Sequence, residues 1–328
     1  MKSSKLMTLL ERFPGHRVAV VGDLMLDVYC WGRAVRLSPE APVPVVEVER
    51  ITSCLGGAAN VMRNLVTLGA EAVAFGMIGD DEDGRTVLAE LDGYGIDRTF
   101  VLKDPKRRTT RKQRVIAGTQ QLLRIDHERT DPAPAAIRRR LVEGLLAAIR
   151  EHRVDAVIFE DYRKGVLSSE MLAEVTAAAR KAGVITALDP KPGSLAPVPG
   201  LTVIKPNRSE ACAMAEMSVD EGDQAGLNRV AEVLQKLWQP EYLLVSLAAE
   251  GMALYRRNGR PTRIPTRARE VFDVSGAGDT LVAAFTLSLA AGISPKEAAE
   301  IANHAAGLVV GKVGTVPVTL EDLRKALA

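Results

Sequence analysis

The chain is poor in cysteine. Its 328 residues hold only Cys30, Cys54 and Cys212, an odd number with no C-x-x-C spacing, which argues against a disulfide framework or a zinc site and fits the cytoplasm. It also lacks a dominant charge. Forty-three lysines and arginines stand against 41 acids, leaving +2, so a nucleic-acid partner is not expected. No signal peptide opens the sequence and no apolar run is long enough to span a bilayer without charge, so no membrane partner is expected. No G-x-x-x-x-G-K-[ST] occurs, which excludes a P-loop. Gly276-Ala-Gly278-Asp-Thr-Leu281 lacks the third glycine of a dinucleotide fingerprint and comes too late to open a βαβ unit, which argues against a dehydrogenase. No low-complexity linker divides the chain, and Pro190 to Gly200 reads as an irregular loop within the core.

What is present is the run Asp273-Val-Ser-Gly276-Ala277-Gly278-Asp279-Thr280. Leu281, Val282, Phe285 and Leu289 follow at helical spacing and stop at Gly292, predicting an amphipathic helix that starts near Gly278. The N–H groups of Gly276, Ala277 and Gly278, with the positive end of the helix dipole, would attract an anion. Asp279 lies one residue on, where a carboxylate can take the proton of a hydroxyl attacking a phosphate held in that turn. Standing alone, Asp279 would equally serve as a helix cap and the glycines as a tight turn.

Apolar β-rich runs at 18–21, 72–75, 154–159, 184–188, 201–204 and 242–246 alternate with apolar stripes of helical period, such as Ala58, Val61, Met62, Leu65 and Ile137, Leu141, Leu145, Ala148. They predict buried parallel strands between helices, a three-layer α/β/α sandwich. Ligands in such sheets bind beyond the carboxyl ends of the strands. Asp23, Asp161, Asp189 and Asn207 all fall there. Two segments, about 31–54 and 98–126, break the rhythm with strand-like alternation. They are expected to form a small inserted antiparallel sheet within a single domain spanning 1–328, acting as a lid, a dimer contact or both. The basic cluster Lys106, Arg107, Arg108, Arg111, Lys112, Arg114 is either a solvated face or a grip on an anionic substrate.

Over almost its whole length the chain resembles the PfkB (ribokinase-like) carbohydrate kinases. Gly56-Gly57-Ala58-Ala59-Asn60 looks like the family's first signature and Asp273 to Thr280 like its second. The resemblance implies an ATP-dependent kinase in which Asp279 is the catalytic base, Gly276, Ala277 and Gly278 form the anion hole, and Gly56, Gly57 and Asn60 touch the sugar. Asn207-Arg208-Ser209-Glu210 is similar to the family's N-x-x-E motif. That likeness implies nucleotide contacts and Mg2+ held by Asn207 and Glu210 through water, for which oxygen ligands are apt; the run also reads as a capping box. Ser246, Gly251 and Asn303 are implied on the nucleotide side, and backbone carbonyls flanking 273–280 leave room for K+.

Within the family the likeness is to heptose 7-phosphate kinases of ADP-heptose synthesis, a route to the lipopolysaccharide core. It rests on the runs Val21 to Asp27, Leu37 to Val46, Thr119 to Asp126, Asp161 to Gly165, Asp189-Pro-Lys191 and Val310 to Thr315. The implied reaction phosphorylates C1 of D-glycero-D-manno-heptose 7-phosphate. Asp23, Asp27 and Asp161 would line the sugar site, and Arg111, Lys112, Arg114, Arg124 and Lys164 are candidates for the 7-phosphate. A fructose phosphate, ribose or nucleoside acceptor, or a non-catalytic sugar-binding regulator, are the alternatives. The chain departs from the pattern at Ser246 to Met252, where an arginine is missing, and after Lys191. It ends without a His-x-Gly-His signature, so a separate nucleotidyltransferase and a homodimer are the expected partners.

Overall fold

The computed structural model of the protein describes residues 2–257, 259–267, 273–311 and 314–327. Lys312 and Val313, within one of the kinase-like runs, lie outside the described residues. The strands are β1 (Arg17–Gly22), β2 (Leu24–Leu37), β3 (Pro44–Gly57), β4 (Glu71–Gly79), β5 (Asp97–Asp104), β6 (Thr110–Ala117), β7 (Gln120–His127), β8 (Ala156–Glu160), β9 (Ile185–Asp189), β10 (Val203–Ile204), β11 (Tyr242–Ser246), β12 (Met252–Arg256) and β13 (Thr262–Ile264). The helices are α1 (Lys2–Leu10), α2 (Ala58–Thr67), α3 (Glu82–Gly93), α4 (Ala135–Arg150), α5 (Ser169–Ala182), α6 (Arg208–Met214), α7 (Gln224–Trp238), α8 (Ala277–Ala290), α9 (Pro295–Val309) and α10 (Leu320–Leu327).

Among the described residues the large sheet runs β13-β12-β11-β10-β9-β8-β1-β4-β5. It is parallel from β11 to β5, with β12 and β13 added antiparallel at one edge. Alternation along each strand builds two cores. Val18, Val20, Ala156 and Ile158 pack with α1, α2, α3, α8, α9 and α10, while Ala19, Val21, Val157 and Phe159 pack with α4, α5, α6 and α7. The expected three layers follow from this two-sided burial.

Three expectations need correcting. The inserted sheet runs β3-β2-β6-β7, and its central pair, β2 with β6, is parallel rather than antiparallel. The two hairpins enter from separate points of the chain, and their facing strands run the same way. Residues 97–104 belong to the large sheet as β5, beside β4, so the second inserted segment is 110–127. Finally, α8 is not amphipathic. Every residue from Asp279 to Ser288 is buried, because the helix lies against the sheet and is covered by α2 and α9. A helix apolar all round is an interior one.

Candidate active site

α8 starts one residue earlier than predicted, with Gly276 as its N-cap at φ 80°. A Cβ at Gly276 would stand 2.9 Å from the Asn60 amide nitrogen, so close approach and backbone conformation both call for glycine. Of the three expected anion donors, Ala277 N–H is turned to the carbonyl of Val274 at 3.3 Å. Gly276 and Gly278 remain as the candidate backbone donors of the turn.

Asp279 is buried in the first turn of α8. Asn60, in the first turn of α2, donates its amide to Asp279 Oδ2 at 2.7 Å, and the Tyr162 hydroxyl donates to Oδ1 at 2.7 Å. Asn60 is held in turn. Arg63 Nη2 donates to Asn60 Oδ1 and to the Thr315 carbonyl, both at 2.6 Å, which fixes the amide so that its nitrogen faces Asp279. The two signature runs therefore meet at one carboxylate.

The strand-end acids take distinct places. Asp23 accepts from the N–H groups of Tyr162 and Lys164 at 2.9 Å each and of Val166 at 3.2 Å, so it pins the loop after β8. Asp161 accepts from Arg163 N–H at 2.8 Å and Lys191 N–H at 3.4 Å and shapes the same loop from inside. Asp27 is different. Its Oδ1 accepts from Arg114 at 2.7 Å, while a Cβ on Gly56 would stand 2.7 Å from Oδ2, so glycine at the end of β3 leaves this carboxylate uncrowded. Burial raises the Asp27 carboxyl above its usual range, and the Arg114 guanidinium works against the rise.

Glu160 was missed in the sequence, although it is the last residue of a strand whose next residue, Asp161, was singled out. It is fully buried and neither carboxylate oxygen has a partner. Ligand oxygens of Glu160, Asp189 and Asp279 lie within 4.8 Å of one another. Burial, then the charges of Asp189 and Asp279, push the Glu160 carboxyl well above the ordinary range. The countercharge is Lys205, also missed, whose ammonium pairs with Asp189 Oδ2 at 2.7 Å with both side chains buried. Burial pulls the Lys205 ammonium down, but Asp189 and Glu160 outweigh it and the net shift is upward. A Cβ on Gly278 would stand 3.0 Å from that ammonium, so a fixed positive charge lies beneath the glycine turn.

In the N-x-x-E run, Asn207 and Glu210 close the capping box of α6. Asn207 Oδ1 accepts from Glu210 N–H at 2.8 Å and Glu210 Oε2 from Asn207 N–H at 2.8 Å; the Ser209 hydroxyl also donates to Asn207 Oδ1, at 2.9 Å. Glu210 Oε1 pairs with the Lys191 ammonium. Arg208 is committed to Glu250 and to the Asp220 carbonyl, so its guanidinium points away from this group. Ser246 closes β11 beside Asn207, and Gly251 turns the chain at φ 90°. Asn303 donates to the Pro265 carbonyl at 2.7 Å. It lines a cavity of about 270 Å³ with Arg263, Pro265, Arg267, Lys296 and His304.

The basic candidates divide. Arg124 is half exposed and forks onto Asp126 at 2.8 and 2.9 Å, and Arg111 pairs with Gln113 and Asp83. Lys112 pairs with Asp126 at 3.2 Å and with Glu128 at 3.3 Å, and Lys164 pairs with Glu128 at 2.7 Å. Lys164 shares the loop of Tyr162, and Lys112 is in register with Asp27.

A buried carboxylate behind a glycine turn, with two signatures joined through Asn60, is a phosphotransferase arrangement, and the comparisons agree. Residues 16–322 match the pfkB family carbohydrate kinase description. The chain belongs to that family, and a carbohydrate kinase is its enzyme class. The bifunctional protein HldE of Geobacter sulfurreducens is 45% identical over 304 residues, 93% of this chain and 61% of that protein. HldE of Geotalea uraniireducens is 42% identical over 319 residues, 97% of this chain and 64% of that one. The chain thus spans less than two thirds of these relatives. Phosphofructokinase-2 from Escherichia coli, solved with substrates and products, superposes with a TM-score of 0.77 at 18% identity, covering 95% of this chain and 98% of that one. Arabidopsis thaliana ribokinase complexed with ribose and ATP gives 0.72 at 22%, covering 95% and 98%. At these identities the likeness is one of fold, and the fold is ribokinase-like. Among the described residues no helix is long and apolar enough to cross a membrane.

Proposed function

We propose that the chain transfers the γ-phosphate of ATP to C1 of D-glycero-D-manno-heptose 7-phosphate, giving the 1,7-bisphosphate. The observation that carries the phosphoryl transfer is Asp279, buried and held at Oδ2 by Asn60 directly behind the Gly276–Gly278 turn. The heptose acceptor is supported by the heptose-kinase-like runs and by the pairing of Lys112 and Lys164. Their shared partner Glu128 stands where a sugar phosphate dianion could replace it, with charge-assisted contacts of the kind such a group favours.

In this reading the acceptor hydroxyl lies on Asp279, which takes its proton as the oxygen attacks phosphorus, a contribution on the order of 10²–10⁴ in rate. The turn N–H groups and Lys205 face the transferred group and stabilise its charge. Asp27 and Gly56–Gly57 at the end of β3 receive sugar hydroxyls, and Asp23 and Asp161 shape the loop that brings Tyr162 and Lys164 to the site. The cavity beside Asn303 takes the base of the nucleotide.

An all-oxygen donor set suits Mg2+. Asn207 and Glu210, whose oxygens are occupied by the capping box and Lys191, would hold it through water, and the orphaned oxygens of Glu160 and Asp189 offer further acceptors for its shell. When bound, Mg2+ neutralises charge on the nucleotide phosphates. Backbone carbonyls near 273–280 are the place for K+.

The reading includes a cytoplasmic homodimer. Val35, Leu37, Val48, Ile51, Leu123 and Ile125 are exposed apolar residues gathered on the small sheet, a face that a second copy would cover. A nucleotidyltransferase activity would act later on the phosphorylated product. ADP release measured across the heptose phosphate, fructose 6-phosphate, fructose 1-phosphate, ribose and adenosine, with phosphorus NMR of the product, tests the acceptor. Preference for the heptose with a C1 phosphate is expected, and preference for any other acceptor overturns that assignment.

A further inference from the structure

A kinase that holds ATP beside an activated base has to keep water from taking the acceptor's place, because water is the more abundant nucleophile. The surroundings of Asp279 contain a group placed to do this. On the Oδ2 side the Asn60 amide is fixed by Arg63, itself anchored on the Thr315 carbonyl. That leaves Oδ1 for the acceptor hydroxyl, and there the Tyr162 hydroxyl donates at 2.7 Å.

We propose that Tyr162 is a plug on the base: without sugar its hydroxyl occupies the place on Asp279 Oδ1 that the acceptor hydroxyl takes, and so withholds that oxygen from water. This rests on Asp279 being the base of the proposed kinase.

Three features fit the role. The phenol stays a donor, since burial, then the charges of Asp279, Glu160 and Asp189, raise it well above its ordinary value. The backbone beneath it is pinned by the three N–H bonds to Asp23, so release is a rotation of the side chain and needs no opening of the loop. The ring's other face carries the Lys191 ammonium, 5.4 Å from the centroid, and that ammonium pairs with Glu210 of the N-x-x-E run. The tyrosine thus stands between the acceptor base and the nucleotide side, held by a cation–π contact that yields at modest cost.

The reaction suppressed is ATP hydrolysis. A water oxygen would bond to the γ-phosphorus as the bond from that phosphorus to the bridging oxygen breaks, the water proton passing to Asp279 and ADP leaving. With sugar bound, the acceptor hydroxyl displaces the phenol and the same proton transfer serves the kinase reaction.

Tyr162→Phe removes the hydroxyl and keeps the ring. Steady-state ADP release is measured for wild type and variant, each with ATP and magnesium, without sugar and with saturating heptose phosphate. Thermal melting and ATP affinity confirm that the variant is folded and binds nucleotide. A hydrogen bond to a carboxylate is lost, so the ratio of sugar-free to sugar-saturated ADP release should rise about 10- to 100-fold, with the absolute sugar-free rate above wild type and the acceptor KM lowered. A merely structural role moves neither quantity in that direction. A sugar-free rate at or below wild type, with a fall in kcat on sugar, would overturn the plug and make Tyr162 a positioning residue for Asp279. Wild type that releases no extra ADP with any acceptor would overturn the kinase reading itself, and the plug with it.

Discussion

Replacing Glu160 with glutamine should make the protein more stable at alkaline pH, although the residue lies in the heart of the site. Its carboxyl is fully buried and both oxygens lack partners. Burial, Asp189 and Asp279 raise its pKa well above the ordinary 4.5. In the unfolded chain it returns to that ordinary value. As pH rises above 4.5 the unfolded chain releases a proton that the folded chain still holds, so folding is progressively penalised until the folded pKa is passed. Glutamine has no proton to release, and its amide can donate to the unpartnered Oδ1 of Asp189. Satisfying a buried polar group is worth about 1–3 kcal/mol. Glu160→Gln should therefore be more stable than wild type at pH 8, by about 1–3 kcal/mol from the amide contact at any pH and by about a further 1.4 kcal/mol for each pH unit above 4.5 up to the folded pKa, this second part vanishing as pH falls toward 4.5. Urea unfolding of both proteins at several pH values measures it. Parallel pH profiles, or a variant weaker at pH 8, would show Glu160 ionised and paired and refute the reasoning.

Lys164→Ala should raise the KM for a phosphorylated acceptor about 10- to 100-fold, the worth of a charged hydrogen bond, and leave that for ribose unchanged, whereas Arg124→Ala, spent on Asp126, should change neither in steady-state kinetics. Gly276→Ala forces a side chain into the left-handed region against Asn60, so kcat should drop about 5- to 30-fold, from strain of roughly 1–2 kcal/mol on the Asn60–Asp279 contact. Sedimentation should find a dimer that Ile51→Glu converts to monomer; a wild-type monomer at micromolar concentration contradicts the small-sheet interface.

The parallel strands and their flanking helices were legible because period and burial agree over 18–21, 72–75 and 242–246, and the start of α8 was legible because a helical stripe follows directly on a glycine turn. The inserted sheet was legible only as alternation. Whether β2 meets β6 head-to-tail or in parallel depends on where two distant hairpins leave the core, which local pattern does not encode. β5 was assigned to that sheet for the same reason. Arg63 and Lys205 went unread because each sits in an apolar stretch as a single charge, and only the fold shows that one orients Asn60 and the other faces Asp189. Asp23 carried the right signal, a carboxylate past a strand end, but a carboxylate that pins a loop and one that binds sugar look alike in sequence. The same ambiguity holds for the basic residues, which the structure separates through their partners: Asp126 for the half-exposed Arg124, Glu128 for the largely buried Lys164, and both acids for Lys112 between them.

The central claim is that Asp279 takes the acceptor proton, and Asp279→Asn tests it most directly. The amide keeps the size of the side chain but cannot accept a proton at neutral pH. With ATP, magnesium and saturating acceptor, kcat should fall by about 10²–10⁴ while ATP affinity, measured by calorimetry, stays within about twofold, since the proposed nucleotide contacts lie on α6 and beside Asn303. A variant that keeps most of its turnover would contradict the account.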